Sequence, residues 1–372
     1  MSIHLTIRRW TEYEFLNSKE EWQELLENNS SDKLFLSWYW MYYWWEIWGK
    51  NSSSNNIYVL AAYDGNILVG IAPLYLSRVR MFKGLHSISR LQFLGTNFRV
   101  GGDIRAEYLE FIAMDEIKPD VNKALFDYIY KDNSWDELIL SDLIVDSETY
   151  KENTRCINSY NCYRRKLQTE CTYVVDCSIP FEEYLAGLGK NTRLKLYNRR
   201  KQLEKHGIIT IGRIKMEDIE KFIETLNNLH EKRWSKLCFN SEQASFFSKM
   251  LVSFNTDKTT YCSELKVNNS ILATMANLKV EDKIYNIQVG FIEDFDKKIS
   301  LGTLHLGYVL ENVFKEKSLD TFDLLAGSGK KSNFKQRLSK SHTVLETSQN
   351  IKNSILKLLY SIYDRVKYNS SP

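Results

Sequence analysis

Ser300-Leu301-Gly302-Thr303 stands where a strand-forming run meets the start of a helix in this chain of 372 residues. A helix start leaves backbone N–H groups without intrahelical partners. With the helix dipole they make a seat for an anion such as a pyrophosphate. Carboxylates come next: Glu107 and Glu110 bracket a short apolar run, and Asp323 lies in the strand ending Phe322-Asp323-Leu324-Leu325-Ala326-Gly327. Cationic groups follow. His230 and Arg233 share one helical face with Trp234 beside them, Lys335 sits in Phe334-Lys335-Gln336-Arg337-Leu338, and seven basic residues crowd Lys190 to Lys205.

Transfer of an acyl group to an amine needs a base, donors that polarise the reacting carbonyl, and an acid for the leaving group. Glu107 or Asp323 could be the base, backbone N–H groups of the strand 284–291 the donors, and Tyr108 or Tyr285 the acid. Each residue also has a plainer reading. Gly302-Thr303 can be an ordinary helix start, Asp323 a strand-end cap, and Glu107 or Glu110 a solvated loop acid. His230 can be a structural histidine, and the basic helix a solvated face. No Cys/His or Ser/His pair has a recognisable arrangement, so direct transfer is expected over a covalent acyl-enzyme.

These residues need elements to position them. Ile3 to Ile7 alternates as a strand, and Ser18 with Glu21 reads as a capped helix start. The aromatic helix Trp38 to Trp48 stops at Gly49. Ile57 to Tyr63, Asp64-Gly65 and Ile67 to Leu76 form a hairpin. Strands near Ser89 to Leu94 and Tyr108 to Ile112, a helix Val121 to Tyr130 and a strand Glu137 to Leu140 complete a mixed α/β first half. If Tyr108 to Ile112 is extended, a bulge is needed to bring both Glu107 and Glu110 inward.

The second half repeats that grammar. It has a strand Thr172 to Asp176, a helix Asn191 to His206, helices Met216 to Lys236 and Glu242 to Phe254, and a hairpin Cys262 to Val280 turning at Asn268-Asn269. The strand Ile284 to Phe291 and the helix Leu304 to Lys315 follow. The tail, Asn350 to Lys367, reads as an amphipathic helix with Ile351, Ile355, Leu358, Leu359 and Ile362 on one side. That stripe either docks on the first half or lies on an anionic bilayer.

Composition narrows the classes. The chain is 43% hydrophobic and 13% aromatic, with 4 prolines, which suits two packed domains and not a disordered tether. Its net charge of +3, from 50 basic and 47 acidic residues, provides no global field for nucleic acid, so no DNA partner is expected. Six cysteines without a C-x-x-C pair fit buried thiols and no metal site. No signal peptide is read at the amino terminus, and the expectation is a cytoplasmic protein, at the inner face of the membrane if the tail helix binds lipid. Gly327-Ser-Gly329-Lys330 lacks the spacing of a phosphate-binding loop.

Several short motifs in order resemble a bacterial family. They are Ser37-Trp38 with Tyr43-Trp44-Trp45-Glu46-Ile47-Trp48-Gly49, Gly70-Ile-Ala-Pro-Leu-Tyr75, Leu91-Gln-Phe-Leu-Gly95, Glu107-Tyr108-Leu-Glu110-Phe-Ile112, and Leu229-His230-Glu-Lys-Arg233-Trp234. Ser300-Leu-Gly302-Thr303, Phe322-Asp323-Leu-Leu-Ala-Gly327 and Phe334-Lys335 complete the series. The chain resembles the GNAT-type acyltransferases of cellulose and exopolysaccharide biosynthesis, the CelD-like branch beside the FemABX peptidyltransferases.

The resemblance implies an α/β (α+β) fold of two tandem GNAT-like domains, each a mixed, mostly antiparallel sheet flanked by helices. Their expected bounds are 1–165, joined by 343–372, and 166–342, which would carry the acyl-donor site. It implies an acyl-CoA-dependent N- or O-acyltransferase, with acetyl-CoA foremost as co-substrate and an amine or hydroxyl of a sugar or cell-envelope polysaccharide precursor as acceptor, bound in the cleft between the domains. On that reading Glu107, Asp323 and Tyr108 are catalytic, and Ser300, Gly302, Thr303 and Gln288 hold the cofactor. Glu110, His230, Arg233 and Lys335 meet the acceptor. The usual Arg/Gln-x-x-Gly-x-Gly/Ala cofactor loop is absent, Lys298 to Thr303 being the nearest stretch. An aminoacyl-tRNA-dependent FemABX-like transferase and a non-catalytic GNAT-like binding subunit stay open beside it, as do monomer and homodimer.

Overall fold

The computed structural model describes residues 4–81, 86–98, 102–255, 257–327 and 329–369. The chain divides into two compact units, Met1–Thr169 with Val344–Pro372, and Glu170–Thr343. Large, mostly antiparallel sheets flanked by helices make up both.

In the second unit the strands run in the order Ile209–Lys215, Thr259–Val267, Ser270–Val280, Lys283–Phe291, Thr321–Gly327, then the end of Tyr163–Asp176. Neighbours are antiparallel except Lys283–Phe291 and Thr321–Gly327, which are parallel. The hairpin at Asn268-Asn269 turns with both residues left-handed, as a two-residue turn matched to strand twist requires. Gly290 carries the sheet face that meets the helix Ile219–Trp234, since a Cβ there would press on Leu226 and Leu229. The helix Leu301–Lys315 covers the other face, where Met275, Leu306, Val309, Leu310 and Val313 pack in one buried cluster.

The expected helix Asn191 to His206 is a helical run from Lys190 to His206 with a π turn at Leu194–Asn198. That widened turn brings the Leu196 carbonyl against Gly307 of the helix Leu301–Lys315, so closely that any Cβ at 307 would overlap it. Arg200 seals the contact: it donates to the Gly307 carbonyl at 3.0 Å, pairs with Glu311, and lies over the Tyr197 and Tyr308 rings.

In the first unit a small antiparallel sheet is ordered Leu5–Arg9, Leu60–Asp64, Ile67–Ala72, Ile112–Ala113. A second run is ordered Ser341–Ile351, Glu137–Ile144, His86–Phe93, Leu74–Met81, Asn55–Ile57. Its strands His86–Phe93 and Glu137–Ile144 are parallel, in register at Arg90, Leu91 and Gln92. The aromatic helix Trp38–Trp44 continues as a π turn to Gly49, where a Cβ would collide with the Trp45 ring.

Several expectations change. The capping box forms at Thr11 with Glu14, which opens an unexpected helix Glu12–Asn17, while Ser18 makes no side-chain cap and donates instead to the Phe15 carbonyl. The first strand is Leu5–Arg9; Ile3 lies outside the described residues, as does Ser328 of the rejected phosphate loop. Tyr108 to Ile112 is not one extended strand: Tyr108 is left-handed, Leu109 makes a single bridge to Leu143, and only Ile112 enters a strand, pairing with Ile71. The helix Glu148–Ser159 and the strand Ser341–Ile351 carry polar sequences without clean periodicity and were not expected.

The tail helix, Ser354–Asn369, holds the protein by its polar side. Asp364 pairs with Arg165 at 2.7 Å and accepts from the Tyr163 hydroxyl at 3.1 Å, and Lys357 donates to the Asn161 carbonyl at 2.6 Å. Of its apolar residues Leu356 is buried, against Ile88 and Ile351. Of the expected stripe, Ile351 is buried at the end of the strand Ser341–Ile351, whereas Ile355, Leu358, Leu359 and Ile362 are exposed and do not dock on the first unit.

Candidate active site

Lys283–Phe291 and Thr321–Gly327 pair at only three positions, Lys283 with Thr321, Ile284 with Phe322 and Tyr285 with Asp323. Beyond Tyr285 the register between them ends among the described residues. Two local devices drive the strands apart. On one side a bulge interrupts pairing with Ser270–Val280 between Ala276 and Asn277, opposite Asn286 to Gln288. On the other, Leu325 adopts a left-handed conformation and the pairing with Tyr163–Asp176 shifts between Asp323 and Ala326.

Asp323 builds that second bulge. Its buried carboxylate accepts from the Leu325 N–H at 2.7 Å and pairs with Lys283 at 2.8 Å. Lys335, on the short helix Lys330–Gln336, donates to the Leu325 and Ala326 carbonyls at 3.0 and 2.7 Å. The two residues thus lie on one side of the wedge, holding the irregular backbone between them. On the other side the Val289 N–H points to the Gln288 side-chain oxygen at 3.2 Å rather than to a neighbouring strand. A ligand amide or carbonyl could take over that N–H.

At the far end of Lys283–Phe291, two residues singled out from the sequence, Gly302 and Arg233, meet at the Phe291 ring. Gly302, in the first turn of Leu301–Lys315, faces the ring so closely that a Cβ would lie 2.8 Å from its edge. Arg233 lies over the same ring at 4.3 Å, and over Trp234 at 4.7 Å, with Glu293 at 3.5 Å. The Ser300 and Thr303 hydroxyls bond each other at 2.9 Å, and the helix has no side-chain N-cap. Its first N–H groups therefore stay available to an anion. The incoming loop opposes this in part: Asp296 is held down to about 2 by the Lys298 N–H, then by Gln202 and His206, and so stays anionic. His230 is apart from this chemistry and donates to the Lys236 carbonyl at 2.9 Å, closing the turn after its helix.

The residues of the first unit form a separate constellation. After Gln92 and Ile139 its parallel strands also part, and here the chain itself fills the gap. The Leu109 N–H donates to the Asp142 carbonyl at 3.0 Å and the Leu109 carbonyl accepts from the Ile144 N–H at 3.3 Å. Glu107 is buried 3.8 Å from Arg105, which is bidentate to Asp142. Tyr108 packs its ring against Phe35. Glu110 accepts from Ser31 at 2.8 Å and Lys118 at 3.0 Å, which makes it a buried ion-pair partner in this unit.

Sequence reasoning missed Lys283, Arg105 and Asp142, whose partners are distant in the chain. It also missed Asp103, which burial pushes up to about 6 although the Trp44 indole N–H donates to it at 3.1 Å. Its signal, an acid next to a Gly-Gly pair, was present but unspecific. A cluster of possible metal-ligand types, Asp127, Glu152 and Cys156, is knit around the Arg155 guanidinium, which donates to all three.

No curated protein matches the chain in sequence. The fold is similar to that of FemX at 13% identity, covering 95% of this chain and 99% of FemX with a TM-score of 0.60. It is also similar to a conserved protein of unknown function from Bacteroides thetaiotaomicron at 9% identity, covering 94% of this chain and 99% of that one with a TM-score of 0.51. Residues 190–336, which contain the wedge and the uncapped helix start, match the family model described as an acetyltransferase (GNAT) domain.

Proposed function

We propose that the second unit binds an acyl thioester, acetyl-CoA foremost, and transfers its acyl group to an amine or hydroxyl of a sugar or cell-envelope polysaccharide precursor. One observation carries this reading: two parallel strands pair for three residues and then part, with an uncapped helix start at the far end. An extended amide chain such as pantetheine can add to the exposed strand edge as another strand would. Its pyrophosphate then meets the N–H groups of Leu301–Lys315 and the charge of Arg233.

In this reading the Val289 N–H, released by Gln288, polarises the thioester carbonyl. Lys335 steadies the opposite wall. Asp323 has its carboxylate engaged by Lys283 and Leu325, so in this reading it shapes the wall and does not take up a proton. A second reading, aminoacyl-tRNA-dependent transfer, is favoured by the similarity of fold to FemX. The two differ in the donor.

Thr303→Glu separates binding from folding. A carboxylate in the first turn favours the helix but repels phosphate, so calorimetry should show acetyl-CoA binding weakened at least about tenfold with no loss of thermal stability. Gly302→Glu would be a poorer probe, because its Cβ strikes Phe291 whatever the ligand. Wild-type protein that binds no acetyl-CoA but binds aminoacyl-tRNA would replace the proposal with the second reading, and equal affinity in the variant would move the donor elsewhere.

A further inference from the structure

The helix Ser354–Asn369 is amphipathic in an inverted sense: its polar side grips the protein and its apolar side faces solvent. Ile355, Leu358, Leu359, Ile362, Tyr363 and Val366 are between 39% and 63% exposed. At 3.6 residues per turn they make one stripe along the helix, roughly 16 Å from end to end. Scattered exposed leucines need no explanation, but a continuous stripe does.

The charges around it have one sign. Between 354 and 369 the only carboxylate is Asp364, and Arg165 neutralises it at 2.7 Å. Arg365 is exposed at the border of the stripe, while Lys357 is on the side that grips the protein, donating to the Asn161 carbonyl. Tyr363 closes one edge of the stripe with a ring that suits a boundary between water and hydrocarbon. An apolar stripe, an aromatic edge and cations without opposing acids together match the interface of an anionic bilayer.

A second copy of the chain fits less well. One helix face of this size covers on the order of 250 Å², well short of the roughly 800 Å² per partner that a stable pair needs. Self-pairing would also set Arg365 of two copies on a face that offers no acid.

We infer that Ser354–Asn369 is an interfacial membrane anchor, seating Ile355, Leu358, Leu359, Ile362 and Val366 among the acyl chains of an anionic lipid surface. This rests on the helix alone and stands whether or not the donor is acetyl-CoA. The test is co-sedimentation of full-length protein with phosphatidylcholine vesicles, with and without about a quarter phosphatidylglycerol, at low and high salt. Binding is expected to the anionic vesicles, several-fold weaker to neutral ones, and weaker again as salt shortens the screening length.

Leu358→Asp with Ile362→Asp, both on exposed positions, should cut binding at least tenfold while leaving thermal stability unchanged. Three outcomes would overturn the inference. One is no sedimentation with anionic vesicles at low salt. Another is binding that the double variant leaves intact. The last is a concentration-dependent dimer that the double variant abolishes in protein that ignores vesicles.

Discussion

His305 lies in the second unit with its Nε2 3.0 Å from the Ser263 hydroxyl, and its Nδ1 is buried without a hydrogen-bond partner. Burial lowers it from 6.5 to about 3, so the folded protein holds a neutral imidazole through the acid range. The unfolded chain takes up a proton near 6.5. Between pH 6.5 and 3 the unfolded state therefore binds more protons, and stability must fall as pH falls through that window. Each unit of separation is worth about 1.4 kcal/mol, so the full effect is several kcal/mol. Urea unfolding at pH 7, 5 and 4 should show a steeper acid loss for wild type than for His305→Gln. Parallel losses would mean that carboxylates alone set the acid limit. Other residues the sequence offered as chemistry are satisfied structurally: Glu110 by Ser31 and Lys118, and His230 by a backbone carbonyl. Their types were legible and their partners were not, because each partner is set by the folded chain.

Among the elements, the helix Leu301–Lys315 is the one whose position decides the wedge, and Gly307 decides how closely it approaches the π turn at Leu194–Asn198. Gly307→Ala should destabilise the protein by about 1–3 kcal/mol, because the Leu196 carbonyl is backbone and cannot turn aside. Gly212→Ala is the matched comparison, since a Cβ there meets nothing within 4 Å, and it should stay within about 0.5 kcal/mol of wild type. Thermal or chemical unfolding reads both. A tolerated Gly307→Ala would show that the π turn can relax and that the helix contact is not tight. The elements themselves were partly readable. The hairpin at Asn268-Asn269 announces its turn, and the one expected at Asp64-Gly65 turns one residue later, at Gly65-Asn66, whereas the π turn has no sequence signature, being an ordinary helix widened by what it packs against.

At the scale of the whole molecule, the donor reading makes a spatial demand. The same parting of parallel strands occurs in each unit, but in the first Leu109 occupies it, and in the second it stays open among the described residues. A donor should therefore order one unit and leave the other alone. Acetyl-CoA at about one hundred times its dissociation constant adds roughly 2.7 kcal/mol to whatever state binds it. Hydrogen exchange with that ligand should slow along 286–304 and 324–327, with 86–144 unchanged. Protection confined to 86–144 would place the donor in the first unit.

Some features follow from local sequence because they depend on neighbours a few residues apart: the mixed α/β class, the hairpin turns, the start of a helix at Ser300 to Thr303, and the amphipathic tail. Tertiary structure alone decided the rest. It turned the tail stripe outward, since periodicity reports that a helix has an apolar face but not what covers it. It paired Asp323 with Lys283 across neighbouring strands, bent Tyr108 into a left-handed residue, and plugged one wedge with Leu109 while the other stayed open. Each of those outcomes is a contact between residues far apart in the chain, and such contacts exist only once the sheets have chosen their strand order and register.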